Sequence, residues 1–419
     1  MIKNLLLLIV VVFTLQFVSA EDTFNPGGMM YFTLFTDFQN TDSAYYFEDG
    51  NKDPNLNAEL LLNPVLKLGS VNIAFGLFDF NMILGRNDFN SEFDEKIDFQ
   101  INEFYGIINF FNWVKLKIGK QRVVWGVSFA HNPSDFINPP KDPTGLDNTK
   151  EGVISLNIDL FTTVLTLTGI GVVDDNFETS GIGTKLTTDI IPLTDLNLVY
   201  YYSEATDHCM GFSFQSIPFM MSDFLSSLLI YGEAGFAFKS MYPEIEIIDD
   251  AGPAYLQAQP STSDDLNYSF STGILVEIPV IKANLGCEYY YISDAYSKDE
   301  FETIIEALQT KDDPGFPNNI IWYDYISPAK NSTQYLVLSL GKDYLTEYGN
   351  TFTNTFGFNI IFLWCLIDNS SLLTIELKSG IIANSEVIVK VSTAIGDSTS
   401  DFGNMPYQTR LELGMKIGF

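Results

Sequence analysis

The last thirteen residues, Tyr407 to Phe419, admit few folds. Odd positions carry Tyr407, Thr409, Leu411, Leu413, Met415, Ile417 and Phe419, while Gln408, Arg410, Glu412, Gly414, Lys416 and Gly418 fall between them. Successive strand residues point to opposite faces, so this is a strand with one apolar and one wet side. It needs a dry surface on one side and water on the other. A transmembrane β-barrel supplies both, with lipid outside and a hydrated lumen inside. A slip of one residue would turn Arg410, Glu412 and Lys416 to lipid, at about 2–4 kcal/mol for a base at the bilayer midplane.

The same alternation recurs upstream. Tyr268, Phe270, Thr272, Ile274, Val276 and Ile278 alternate with Ser269, Ser271, Gly273 and Glu277. Ile281, Ala283, Leu285, Cys287, Tyr289 and Tyr291 alternate with Lys282, Asn284, Gly286 and Glu288. Phe356, Phe358, Ile360, Phe362 and Trp364 alternate with Gly357 and Asn359, and Leu373, Ile375 and Leu377 with Thr374, Glu376 and Lys378. Each wet face is expected to line the lumen. The expected fold class is all-β, a transmembrane antiparallel up-and-down β-barrel. The rival is a secreted β-sandwich, which has no need of aromatics at strand ends such as Trp113 and Trp364.

Lys3, the apolar run Leu5 to Phe13 and Val18-Ser19-Ala20 read as a signal peptide over 1–20, cleaved before Glu21. Residues 21–28 are then a short mature N-terminal segment, and 29–419 a single barrel domain. The greasiest later window, Phe356 to Ile367, falls short of the roughly 20 apolar residues a spanning helix needs. Yet the chain is 46% hydrophobic, so its apolar surface must be held in alternation. Net charge is −31, from 53 acids against 22 bases. That excludes nucleic acid as a partner, which needs a basic surface, and it favours attraction of cations. Cys209, Cys287 and Cys365 fall in separate expected strands, which argues against a disulfide framework.

Strands are expected at 29–38, 56–67, 70–82, 97–109, 113–121, 152–160, 162–173, 180–189 and 195–203, then at 209–217, 226–239, 264–278, 280–293, 333–341, 352–365, 371–381, 385–395 and 407–419. That is about 18, with 16 the alternative if weak pairs merge. Connections after even strands are mostly tight, with somewhat longer ones at Pro218 to Leu225 and Lys342 to Thr351, whereas those after odd strands are mostly long. Short periplasmic turns and long outer loops are the asymmetry of an outer-membrane barrel. An even count puts both termini on the periplasmic side. A barrel of this size is expected to enclose an aqueous channel.

The most distinctive connection is the third outer loop, 122–151. With the strand before it, it reads Gly119-Lys120-Gln121-Arg122, Trp125-Gly126, His131-Asn132-Pro133, Asp135, Asn138-Pro139-Pro140 and Asp142-Pro143. A long, proline-rich third loop resembles that of bacterial porins, in which this loop folds into the barrel and narrows the pore. The Gly-Lys-Gln…Trp-Gly run is similar to stretches in porin-like channel families of the alginate-export and phosphate-selective types. The resemblance implies a constriction formed by Lys120, Arg122, Trp125, His131 and Asp135. It also implies that the strand ending in Phe419 is read by the outer-membrane assembly machinery. The chain departs from anion-selective types in lacking a basic ladder, since its only arginines are Arg86, Arg122 and Arg410. The bland alternative for the loop is a rigid surface segment whose prolines limit its entropy.

The expected lumen wall mixes Lys115, Lys117, Lys282, Lys378, Arg410 and Lys416 with Glu277, Glu288, Glu376 and Glu412; Lys185, Lys390, Asp159 and Glu233 join them on the same pattern. The long loop 294–332 opens on Ser297 and Glu300, a capping box. Phe301, Ile304, Ile305 and Leu308 then follow helical spacing, so a short amphipathic helix is expected on the rim or as a lid. Acid pairs such as Asp249-Asp250 and Asp312-Asp313 lack the spacing of a calcium loop and read as solvated charge. His131 and His208 are the only histidines, with no zinc spacing, so neither an enzyme nor a bound cofactor or metal is expected. The expected function is passive diffusion of small polar solutes across the bacterial outer membrane, cations or neutral solutes before anions, with outer-membrane lipid as surroundings. The alternatives are an adhesive or structural barrel without an open pore, and a transporter of hydrophobic compounds.

Overall fold

In the computed structural model this alternation closes on itself. The structure describes residues 24–39, 55–68, 71–74, 78–87, 92–101, 104–110, 113–138, 152–173, 180–204, 206–218, 228–239, 244–248, 255–259, 266–278, 283–309, 331–342, 356–380, 385–405 and 407–418, and the described side chains fall between Tyr105 and Met415. Among the described residues, twenty strand segments form one antiparallel sheet.

The wall begins with β1 (Phe24–Gln39), β2 (Asn55–Leu68), β3 (Val71–Ala74), β4 (Phe78–Asn87), β5 (Glu92–Ile101) and β6 (Phe104–Phe110). It continues through β7 (Val114–Gln121), β8 (Val153–Phe161), β9 (Leu165–Val173), β10 (Ser180–Ile191), β11 (Thr194–Ser203), β12 (Asp207–Ser216) and β13 (Leu229–Ala237). Two strands then leave it: β14 (Glu244–Ile248) and β15 (Tyr255–Gln259) make a separate hairpin within a loop the sequence pattern leaves unstructured. The wall resumes with β16 (Asn267–Ile278), β17 (Ala283–Ile292), β18 (Gln334–Lys342), β19 (Phe356–Cys365), β20 (Ser371–Ser379), β21 (Ser385–Ile395) and β22 (Tyr407–Gly418). β22 then pairs with β1, from Met29↔Gly418 to Gln39↔Tyr407.

Two expected strands arrive broken. β3 and β4 both pair with β2, with a one-residue shift between Val65↔Ala74 and Leu62↔Phe78. β5 and β6 keep one register against them, Phe78↔Ile101 and Val71↔Ile108. β3 and β4 thus follow one another along β2, and β6 and β5 along β3 and β4, within the twenty described segments. At the start, β1 begins at Phe24 rather than Met29. Residues 24–28 pair only with β2, so Met29 marks the beginning of the closing seam and 24–28 already belong to the sheet.

Burial follows the pleat. On β11, Val199, Tyr201 and Ser203 are buried while Leu198, Tyr200 and Tyr202 are exposed. On β20, Thr374 and Glu376 are buried while Ile375 and Leu377 are exposed. The exposed face carries an aromatic belt at the long-loop end: Tyr268 stacks on Tyr291 at 5.6 Å, and Phe270 on the same ring at 5.5 Å. Tyr200 and Tyr202 continue it around His208, whose Nδ1 lies 2.8 Å from the Tyr200 hydroxyl. Amphipathic rings of this kind sit where hydrocarbon meets headgroup. In the loop after β17, the helix α1 (Lys298–Gln309) forms as its capping box requires. The Ser297 N–H donates to Glu300 Oε2 (2.8 Å) and the Glu300 N–H to Ser297 Oγ (3.3 Å), while Phe301 and Ile305 are buried.

A base on the exposed face must then be costly where a base in the lumen is not. Ile375→Arg is expected to lower unfolding free energy in phospholipid vesicles by about 2–4 kcal/mol, and Glu277→Arg, on the lumen face, by under about 1 kcal/mol. Equal losses in urea titrations would contradict the assigned faces.

Candidate functional site: a loop folded into the barrel

A loop that leaves a strand end and turns into the lumen exposes its own N–H groups to a partly dry interior. Each buried N–H left without an acceptor costs about 1–3 kcal/mol. Residues 122–138 meet this demand with two wall carboxylates. The N–H groups of Val127 and Ser128 donate to Glu233 Oε2 at 2.8 and 3.1 Å. Ser134 donates its N–H and its hydroxyl to Glu233 Oε1, both at 2.7 Å. The next three N–H groups turn to Glu288: Phe129 to Oε2 at 2.7 Å, Ala130 and His131 to Oε1 at 3.0 and 3.1 Å. Five consecutive backbone donors thus end on two carboxylates. Hydrogen bonds to an ionised acceptor are about twice as strong as neutral ones.

Strand register sets the two anchors. Glu233 on β13 faces Ser271 on β16, and Glu288 on β17 faces Gly273 on the same strand. Tyr231 lies opposite Gly273 from the other side, and its hydroxyl crosses that strand to donate to Glu288 Oε2 at 2.7 Å. A side chain at position 273 would collide with the Tyr231 ring, so glycine there opens the crossing. The Ser128 and Ser271 hydroxyls make a further short contact. Close approach is again bought with small residues at Gly211, where a Cβ would meet Ser134, and at Gly235, where it would meet the Pro133 carbonyl.

Behind these bonds lies an apolar cluster inside the barrel. Trp125 is 3% exposed and meets Tyr201 edge-on at 6.4 Å, with Val123, Ile170, Val199 and Cys209 around it. Lys185 donates to the Trp125 carbonyl at 3.4 Å. A second inward segment, Ser400 to Met405, covers Tyr335, Leu363, Cys365 and Leu372 with Phe402. It is tied by Asp401, which accepts from Asn331 Nδ2 (2.7 Å) and the Tyr335 hydroxyl (2.6 Å) and donates its own N–H to Asp368 (2.7 Å). The two segments are joined by rings along the wall: His131 on Tyr290 at 5.2 Å, Tyr290 on Tyr335 at 4.7 Å, and Tyr335 edge-on to Phe402 at 6.3 Å.

The expected site residues take different places. Arg122 is half-buried where the loop leaves β7. Asp135 accepts from Asn138 Nδ2 at 2.7 Å and so closes a local turn. Trp125 and His131 turn their rings to the wall. Lys120 shares its strand face with exposed Ile118, the outward one, because strand parity separates it from buried Gln121. On the wall, Lys378 lies 2.9 Å from Glu376, and Lys390 3.3 Å from Glu412, its partner in register. Lys117 sits over the Tyr105 ring at 3.7 Å. Lys115 faces Asp159 across the ladder, and Glu277 is exposed. Arg410 stands opposite Ser392 and Asp37. Lys282 lies outside the described residues, and Lys416 is placed only by its backbone pairing with Glu386 and Tyr31. The expectation of a uniformly wet lumen face also changes. Val199, Tyr201, Val337 and Leu363 face inward, because the two segments make that end of the lumen dry.

No protein-family description and no curated protein matches the chain. Solved structures do match over nearly its whole length. The Acinetobacter baumannii protein OccAB1 is similar with a TM-score of 0.56 at 8% identity, covering 94% of this chain and 96% of that one. OccK5 (OpdH) of Pseudomonas aeruginosa gives 0.54 at 9% identity, covering 95% and 98%. The fold is that of a porin-like outer-membrane β-barrel. The outer membrane protein OprD of Pseudomonas aeruginosa agrees, with a TM-score of 0.51 at 10% identity over 96% and 95% of the two chains. At these identities the likeness concerns the fold of the porin-like barrel; the anchors come from this chain's own geometry.

Glu233→Ala is expected to release the loop. Amide hydrogen exchange at residues 127–134 should quicken by about 100-fold, the equivalent of about 3 kcal/mol lost from three N–H donors. Glu233→Gln, which keeps one acceptor oxygen, should give a smaller change. Unaltered exchange in the alanine variant would remove Glu233 from this role.

Proposed function

We propose that the protein is a channel of the bacterial outer membrane through which small polar solutes diffuse passively, sieved by the inward loop. The supporting observation is the fastening of residues 122–138 across the lumen by Glu233 and Glu288. A loop so held keeps a defined cross-section, which a size filter requires. In this reading Trp125 and His131 anchor the loop, half-buried Arg122 and Asp135 are part of its framework, and Val124 and Phe129 present exposed side chains to solutes. The pairs Lys378–Glu376 and Lys390–Glu412 give the wall a mixed polarity.

The remaining assignments belong to the same proposal. Residues 1–20 direct export, and the strand ending in Phe419 is recognised by the assembly machinery. An even number of passages leaves both termini at the periplasmic face and the long loops outside. The excess of 53 acids over 22 bases gives the entrance a negative potential that concentrates cations and turns anions away.

Planar-bilayer recording of the reconstituted protein tests the reading. We expect steady conductance and, in a KCl gradient, a reversal potential of the sign for cation preference. Glu233→Ala combined with Glu288→Ala should raise single-channel conductance about twofold as the loop leaves the lumen. Silent membranes would rule out the channel, and a reversal potential of opposite sign would rule out the selectivity.

A further inference from the structure

Beneath the loop, on the short-turn side of Glu288, the lumen wall encloses a cavity of about 490 Å³. That is within the range of small-molecule sites, roughly 300–1,000 Å³. Phe129 enters it from the loop and Leu275 from the wall, and Asn284, Ser339, Asn359 and Lys378 supply its polar side. Phe129 is 44% exposed although the loop backbone around it is pinned by Glu288, so its side chain borders the cavity from a fixed position. Gly286 and Gly341 give the cavity its depth: a Cβ at position 286 would strike Ser339 Oγ, and one at 341 would come within 3.2 Å of Asn359 Oδ1.

Among the described residues, the Lys378 and Glu288 charges are already answered. Lys378 lies 2.9 Å from Glu376, and the Glu288 carboxylate accepts four hydrogen bonds from the loop and Tyr231. Lys342, which also borders the cavity, shares the outward face of β18 with exposed Leu338. A charged ligand would therefore lose its hydration and gain little in return. A neutral ring bearing hydroxyl groups fits better. Its C–H face packs on Phe129 while its hydroxyls, each donor and acceptor, meet two amides, a hydroxyl and the Lys378 ammonium.

We infer that this cavity is a binding niche for an uncharged sugar ring, a pyranose or a short chain of them. The inference rests on the channel reading for how the sugar arrives, but the niche itself is a property of the folded barrel. The experiment uses the reconstituted full-length protein in planar bilayers, with maltotriose as probe and butyrate as the organic-anion comparison. Maltotriose is expected to interrupt the ion current in a saturable manner, and more strongly than butyrate. Phe129→Ala and Asn359→Leu should each raise the half-blocking concentration about tenfold. Current that maltotriose leaves untouched, or that butyrate blocks at lower concentration, overturns the niche while leaving the channel intact. If membranes stay silent the channel reading fails. Titration calorimetry of maltotriose into the detergent-solubilised barrel then decides the niche: saturable heat abolished by Phe129→Ala supports it, and no heat rejects it.

Discussion

Everything in this structure depends on the seam where β22 meets β1. Hydrocarbon offers no hydrogen bonds, so a sheet that crosses a membrane must satisfy its own edges by closing. The register from Met29↔Gly418 to Gln39↔Tyr407 does this, and it fixes which way every other strand faces. With the seam set, Arg410 and Glu412 stand on the lumen side and Leu413 on the lipid side. Across the β3–β4 and β5–β6 breaks the ladder between the two couples keeps one register, with only a one-residue shift against β2, so the closure survives both.

The same requirement governs the lumen, where it is met by other means. A loop of irregular backbone inside a barrel has donors with no ladder to join. Glu233 and Glu288 act as acceptors in place of a strand, collecting five successive N–H groups of residues 127–131 between them. The energetic logic runs both ways. A buried carboxylate is expensive unless fully hydrogen-bonded, and buried N–H groups are expensive without acceptors. Each group removes the other's penalty, which explains how acidic side chains at 4% and 2% exposure come to line a loop of few charges.

Much of the wall could be read along the chain because its code is short-range. A strand's faces are set by parity alone, so Ile375 and Leu377 outward and Thr374 and Glu376 inward follow from four neighbouring residues. The capping box at Ser297 and Glu300 was readable for the same reason. Other features were not. Lys120 was assigned to the constriction from its place in a motif, yet parity with Ile118 puts it on the outer face. Glu233 and Glu288 were visible as lumen acids, but not as anchors, since their partners lie 99 to 159 residues away along the chain. The segment Ser400 to Met405 carried turn-forming residues around two apolar ones, Phe402 and Met405, a weak signal for something that buries a wall.

By itself the sequence determined the period-2 pattern, the alternation of short and long connections and hence a closed β-barrel, because these are carried by neighbours within a few residues. It also determined that a proline-rich loop would follow β7. Only the tertiary structure decided that residues 122–138 turn inward, which wall residues hold them, and that one end of the lumen is apolar. Those outcomes depend on strands β10 to β17 being brought around to face β7 across the barrel. No local pattern encodes that distance; closure of the sheet does.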